Sequence, residues 1–444
     1  MKTAKVNSSA NPPLRQLLRP QPALRAFLVI RALDELSSQM LNVAIAWYVY
    51  ASTHDPISLA YVGLARFLPN IGMVLIAGHA ADRLNRRRII GLSLLLQALC
   101  TAAFGALSAA AAPAVRPVYL LLIVVGAAQA FSAPAMSATL PRLVTAEEFP
   151  QAVAVVSSAF QMCTLAGPAV GGLIYAVSGP GMFVVAAALY VIGLTQVRRL
   201  ADERHDMHAE ESVPTDESLL GGVRYVRSNR LLLAAISLDL FAVLLGGIMA
   251  LLPIYAKDIL LVGPAGLGCL RCASGIGAAI VGLVLAHRTV QHGAGRLMLA
   301  CVAGFGFATV VFALSTNFWL SLGALIGAGG FDMVSMVIRQ TLVQVSTPDA
   351  MRGRVSAVQY VFVGASSELG EFESGATAAL FGTVPAALLG GIGTLAVVAV
   401  WCRIFPELHR ADKLIPNGTT DADRAEDGPC HGTFSCQRSV AEAD

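Results

Sequence analysis

Residues 57–88 read ISLAYVGLARFLPNIGMVLIAGHAADRLNRRR. The stretch 57–79 is apolar and long enough to cross a bilayer core of ~30 Å as a helix. It nevertheless carries Arg66 about ten residues in and ends on a polar, basic loop. An arginine at that depth is costly unless it is paired or hydrated, so it marks a working or a structural site. The stretch also has a second copy. At a fixed offset of 205 residues, Gly63, Arg66, Ile71, Gly72 and Arg83 recur as Gly268, Arg271, Ile276, Gly277 and Arg288, and Leu33-Asp34 recurs as Leu238-Asp239. No gap is needed between the first match and the last. Two halves that share intramembrane charges predict a transporter of pseudo-symmetric halves around a central pathway.

The rest of the chain agrees with that reading. Of 444 residues 56% are hydrophobic and 13% charged, with a mean hydropathy of +0.67; soluble domains carry about 25% charged residues. Twelve apolar runs are counted: 24–52, 57–79, 88–111, 117–142, 151–177, 181–198, 230–256, 264–287, 296–315, 318–343, 354–382 and 385–405. Strand-like alternation is not seen, so the expected fold is an all-α membrane protein with twelve transmembrane helices in two six-helix bundles, 24–198 and 230–405. A polar N-terminal segment (1–23), a solvent-exposed linker (199–229) and a disordered tail (406–444) complete the predicted organisation. With both termini inside, the even-numbered loops and the tails hold 25 of the 31 Lys and Arg, and only Arg116 and Lys257 fall on the opposite side. That asymmetry predicts cytoplasmic termini. Arg86-Arg87-Arg88 then belongs to a topogenic loop and not to a nucleic-acid patch.

The loop from Gly78 through Asp82-Arg83 to Arg86-Arg87 resembles the signature between the second and third helices of the major facilitator superfamily. Asn85 stands where a second glycine is usual, a replacement read as tolerable because Asn also enters left-handed backbone. The resemblance covers residues ~20–405 and implies a monomeric carrier with two rocking halves. It makes Gly78, Asp82, Arg83, Arg86 and Arg87 a cytoplasmic gate, with Arg142 as a partner for Asp82; the alternative is a cluster that only sets topology. In run 5, Gly167-Pro168-Ala169-Val170-Gly171-Gly172 resembles a motif frequent in family members that export by antiport, although helix packing alone would also explain the glycines. The stretch through Met351-Arg352-Gly353-Arg354-Val355 into a Gly-rich run 11 is similar to the bacterial subfamily of enterobactin (siderophore) exporters. One departure stands out: run 4 has no basic residue before Arg142, so any relay must use other groups.

Candidate groups follow from the charges. Gly167 and Gly172 recur at an offset of 203 as Gly370 and Gly375, but Glu371 replaces the bending Pro168. Together with Glu368 and Glu373, run 11 holds three acids. Glu368 and Glu371 share a helix face, while Glu373 points about 160° away. Acids so close in low dielectric cannot all be comfortably ionised, so at least one is expected to hold a proton near neutrality. In run 1, Arg31 can reach Asp34 or Glu35, either as a proton-coupled switch or as a static ion pair. Asp34, Glu35 and Asp239 therefore join the proton-coupling candidates. Arg66 and Arg271 either pair with these acids or contact an anionic substrate. Gln39, Asn42, Gln129 and Gln161 are weaker polar candidates, and Asp332 and Arg339 a possible pair in run 10. Six of eight cysteines sit in the runs as small hydrophobes; Cys269-x-x-Cys272 lacks partner ligands, and Cys430, His431 and Cys436 form at most a weak tail cluster. No metal, cofactor or nucleic-acid partner is expected, and no Gly-Lys-Ser/Thr phosphate loop is present. The expected protein is not an enzyme. It is a multi-pass carrier of the bacterial inner membrane, driven by the proton gradient, exporting a small organic molecule such as a siderophore-like metabolite or a drug. An importer or facilitator is the alternative, and a receptor or scaffold the third reading.

Overall fold

The computed structural model describes residues 22–110, 115–145, 147–200, 215–287 and 293–410. All twelve apolar runs are helical over most of their described length, run 7 with a break, and a linker helix and a short helix after run 12 join them. They are α1 (Pro22–Thr53), α2 (Pro56–Arg83), α3 (Arg86–Ala109), α4 (Val115–Leu143), α5 (Phe149–Ser178), α6 (Gly181–Val197), the linker helix α7 (Thr215–Ser228), α8 (Arg230–Leu245), α9 (Gly263–His287), α10 (Ala294–Leu314), α11 (Phe318–Ser346), α12 (Asp349–Phe381), α13 (Thr383–Ile404) and α14 (Pro406–Arg410). Local chemistry fixes several starts. Asp55 accepts from the Ile57 amide ahead of Pro56, and Asn85, Asn229 and Asn317 do the same for α3, α8 and α11, the positions where a short polar side chain best satisfies free helix amides. Asn85 corrects one expectation. Its φ of −65° is extended, not left-handed, so it stands in the loop as a helix cap and not as a glycine substitute.

Among the described residues, eight helices are long and apolar enough to cross a membrane: α3, α4, α5, α8 with its continuation to Ile259, α9, α10, α11 and α13. The apolar α6 is shorter, at 17 residues. The remaining runs, α1, α2 and α12, carry most of the charges of interest, including Asp34, Arg66, Glu368 and Glu371. No strand occurs among the described residues.

Three other expectations change. Run 7 is not one continuous helix: α8 stops at Gly246, and the chain passes through a 3-10 turn (Ile248–Leu251) and a π-turn (Tyr255–Ile259). The cause is close packing. A Cβ on Gly247 would collide with the Gly370 carbonyl, and one on Gly370 would lie 2.7 Å from the Val243 carbonyl, so glycines let two backbones meet and the ladder breaks there. The linker is not merely a solvated bridge, because α7 packs on α8 and α12. The tail begins with α14, whose Leu408 is fully buried; residues 411–444, with Cys430, His431 and Cys436, lie outside the described residues, as do 1–21, 201–214, Arg288 and His292.

Helices before residue 200 pack chiefly on one another (α1 on α5 and α6, α2 on α4, α3 on α4 and α6), as do those after 215 (α9 on α11, α10 on α11 and α13, α8 on α12). The sets meet through α5–α9 and α2–α12. These contacts realise the sequence repeat. Gly172 faces Gly268, with a Cβ 3.0 Å from its Cα, and Gly375 faces Ala60, with a Cβ 2.8 Å from its Cβ.

Candidate functional site

Near the middle of the molecule the two sets enclose a cavity of about 110 Å³. Its walls bring together Asn42 of α1, Gly63 and Arg66 of α2, Arg271 of α9, Glu368 and Glu371 of α12, and Ala250 from the broken segment after α8. The two arginines are mates in the 205-residue repeat, and pseudo-symmetry delivers them to one space. Glu368 and Glu371 converge as well: a Cβ on Gly63 would sit 3.8 Å from the Oε2 of each. Glycine at 63 leaves that room.

Arg66 is held by neutral acceptors. Its Nε donates to Gln129 Oε1 at 3.0 Å, one Nη to Ser38 Oγ at 2.9 Å, and the other Nη to the Asn42 side-chain carbonyl. This answers where its counter-groups lie: they are amide and hydroxyl oxygens of α1 and α4, and no carboxylate is in ion-pair contact with it among the described residues. The network continues away from the cavity. Gln129 Nε2 donates to Ser38 Oγ (3.2 Å) and Gln97 Oε1 (3.5 Å), and Gln97 Nε2 donates to Asp34 Oδ1 (3.3 Å). A continuous hydrogen-bonded path thus joins Asp34 to Arg66. Sequence reasoning missed Gln97 and Ser38. Gln97 is fully buried and stands alone among apolar neighbours in α3, a signal that was there to read. Arg271 differs from its mate, because its Nε has no hydrogen-bond partner among the described residues.

Other candidates lie elsewhere. Arg31 makes no ion-pair contact with Asp34 or Glu35 among the described residues, although its charge acts on Asp34; its guanidinium stacks 4.4 Å from the Phe160 ring centroid and reaches Met136 Sδ at 3.5 Å. Glu35 accepts from Gln39 Nε2 (2.7 Å) and Thr164 Oγ1 (2.8 Å), tying α1 to α5. Asp239 does not serve Arg271. It forms a buried ion pair with Arg339, which displaces the expected Asp332–Arg339 pairing, and Asp332 is exposed. Glu373 accepts from Thr377 one turn on, at 2.8 Å, and stays out of the cavity wall. The α5 motif packs closely on α1: Cβ atoms on Gly167 and Gly171 would lie 2.5 Å from Gln39 Cβ and 2.6 Å from Met40 Cα. In the basic loop, buried Arg86 donates to the Ala138 carbonyl (3.2 Å) and Arg87 to the Arg198 carbonyl (3.1 Å). The side chains of Gly78, Asp82 and Arg83 lie outside the described residues, and so does any pairing of Asp82 with Arg142. Among the described residues no group of three or more His, Cys, Asp and Glu is arranged for a metal ion.

The end of the molecule remote from the basic loops is closed across the sets. Tyr50 Oη donates to Asp258, while Lys257 Nζ approaches the Ala51 carbonyl (3.3 Å) and His54 Nε2 (2.8 Å). Beneath this latch, Val43, Ala46, Tyr50 and Leu59 share one buried cluster with Ile248, Leu251, Tyr255, Leu267 and Leu270.

Comparison with known proteins places this architecture. The enterobactin exporter EntS of Escherichia coli O1:K1 is 27% identical over 411 residues, 91% of this chain and 96% of the relative, and that of Escherichia fergusonii is equally similar. Among solved structures, a bacterial homologue of the human lysosomal transporter Spinster, inward-facing and occupied, superposes with a TM-score of 0.69 at 12% identity over 90% of this chain and 99% of that one. The nucleoside transporter NupG superposes with a TM-score of 0.67 at 12% identity over 86% and 99%. The profile of the major facilitator family described as transmembrane secretion effector, MFS_3, matches residues 9–423. This multi-pass membrane chain belongs to that family.

Proposed function

We propose that the protein is a proton-coupled exporter of a small organic molecule, working by alternating access between two six-helix bundles of twelve spans in the bacterial inner membrane, with both termini in the cytoplasm. One observation carries the reading: a central cavity, sealed at the end remote from the basic loops, in which Arg66, Arg271, Glu368 and Glu371 meet. With all four ionised the cavity charges balance. A proton on either carboxylate leaves a net positive charge, and a bound substrate changes the same balance. At 4 Å and an effective dielectric of 20 a unit charge is worth about 4 kcal/mol, enough to make proton and substrate compete. The broken segment after α8 delivers Ala250 to the wall, in keeping with interrupted helices at transporter midplanes. The path from Asp34 through Gln97, Gln129 and Ser38 to Arg66 offers a way for a charge change in the cavity to reach Asp34. The relatives exporting enterobactin favour an outward direction and a siderophore-like cargo over import, with drug-like molecules as the other cargo class.

The test is transport in inside-out vesicles. An imposed proton gradient should drive accumulation of the cargo, a protonophore should abolish it, and Glu371→Gln should lose the gradient dependence. Accumulation unaffected by the protonophore would sink the coupling and favour a facilitator.

A further inference from the structure

A second cavity lies on the other side of α12. It has a volume of about 240 Å³ and is lined by Val223, Val226 and Arg227 of α7, Leu233, Ile236 and Leu240 of α8, and Val358 and Phe362 of α12, with Ser237 at its edge. Phe362 precedes Glu371 by nine residues, which is about 180° around a helix, so this wall of α12 faces away from the central cavity. Ser237 accepts from Trp401 Nε1 of α13 at 3.2 Å. The pocket thus lies between α7, α8 and α12, on the side of α12 away from the central cavity. The linker helix forms its roof. Gly222 lets α7 settle on α12, where a Cβ would lie 2.8 Å from the Arg354 carbonyl, and Tyr225 Oη donates to the Ser346 carbonyl at 3.0 Å. Val226 is buried in a cluster with Leu232, Ile236, Val343, Val355 and Val358.

We propose that this pocket binds an anionic phospholipid of the adjacent leaflet, with an acyl chain in the apolar cleft and the phosphate on Arg224 and Arg227. Two independent features carry this. The cleft has a lining of aliphatic side chains and Phe362, and an apolar cavity of that kind is not one that water fills. Arg227 lines its mouth and Arg224 lies one turn before it on α7; both are exposed, and neither has a hydrogen bond or ion pair among the described residues. Neighbouring Arg230 is by contrast occupied by Glu407 at 2.9 Å. An apolar slot with the Arg227 guanidinium in its lining and that of Arg224 one turn away, at the surface end of membrane helices, matches an amphiphile with an anionic head. It does not match a neutral detergent or a soluble anion. The site is independent of the transported cargo, and through α7 and α12 it touches both the linker and the helix that carries Glu368 and Glu371.

The experiment is native mass spectrometry of the full-length, delipidated protein titrated with phosphatidylglycerol or phosphatidylcholine of the same chains. An arginine near an anionic surface contributes a roughly fivefold preference. Phosphatidylglycerol should therefore be retained more tightly than phosphatidylcholine by roughly 25-fold, and Arg224→Gln with Arg227→Gln should remove that preference. Val223→Trp, which fills the slot from an exposed lining position, should weaken both lipids while leaving the head-group preference. Arg296→Gln, an exposed charge elsewhere at the same end, should change nothing. Equal retention of the two lipids, equal losses from Arg296→Gln, or displacement of the lipid by inorganic phosphate alone would each overturn the proposal.

Discussion

The contact between α5 and α9 offers a direct test of rocking. Gly172 and Gly268 meet backbone to backbone near the closed end: a Cβ at 172 would lie 2.5 Å from the Pro264 carbonyl and 3.0 Å from Gly268 Cα. Neither obstacle is a flexible side-chain tip, so Gly172→Ala forces two helices apart by several tenths of an ångström. Over-packing of this sort costs about 1–3 kcal/mol. In alternating access that penalty falls only on the state in which this end is shut, because the contact opens in the other. A differential of that size shifts the equilibrium by roughly 5- to 150-fold toward the state open at this end. The assay is labelling of Ala46→Cys, in a cysteine-free background, by an impermeant maleimide from the side of the latch. Ala46 is 4% exposed in the closed form, so its labelling rate reads the open population. Gly364→Ala serves as control, since its Cβ would meet nothing within 4 Å. The reasoning is refuted if Gly172→Ala and the control label at the same rate with both proteins folded.

Three further expectations bear on single contacts. Asp239→Asn or Arg339→Met alone should destabilise the protein by roughly 3–5 kcal/mol, because each strands a buried charge, whereas the double replacement Asp239→Leu/Arg339→Met should recover most of the loss; thermal unfolding in detergent reads this, and unaltered single variants would contradict it. Arg66→Lys should lose transport nearly as fully as Arg66→Ala, since one ammonium cannot replace a planar fork serving Gln129, Ser38 and Asn42, and near-normal transport by the lysine variant would show that only the charge matters. Tyr50→Phe with Lys257→Met should loosen the latch, at about 1 kcal/mol per hydrogen bond. Several-fold faster labelling of Ala46→Cys is the predicted result, and unchanged labelling would assign closure to the apolar cluster beneath.

Much of the architecture was legible because the strongest signals are backbone-deep. Apolar runs must become helices in a bilayer, and an offset of 205 residues that holds without gaps marked Arg66 and Arg271 as mates. What failed were statements that depend on helix rotation and neighbour choice. Arg31 could reach Asp34 by spacing, but its side chain finds the Phe160 face of α5 instead. Arg339 could have paired with Asp332 on its own helix, yet the buried Asp239 of α8 is the partner. Ser38 was invisible because a serine in a helix is usually silent, and only the convergence of α1, α2 and α4 makes it an acceptor. The break after α8 was written as Gly246-Gly247, but glycine pairs are tolerated in membrane helices, so the dipeptide meant nothing until Gly370 of α12 was seen against it. The linker helix α7 was hidden by its polar composition, although Val223 and Val226 follow a helical spacing.

The central claim is that cargo and proton exclude one another in the cavity of Arg66, Arg271, Glu368 and Glu371. The most direct measurement is proton release from purified protein in weakly buffered detergent, followed with a pH indicator, on adding siderophores and lipophilic cations side by side. The account predicts release on binding in the native protein and none from Glu371→Gln, with binding itself retained in both. Saturable binding to the native protein without proton release would contradict it and leave the cavity carboxylates as structural or cargo-contact groups.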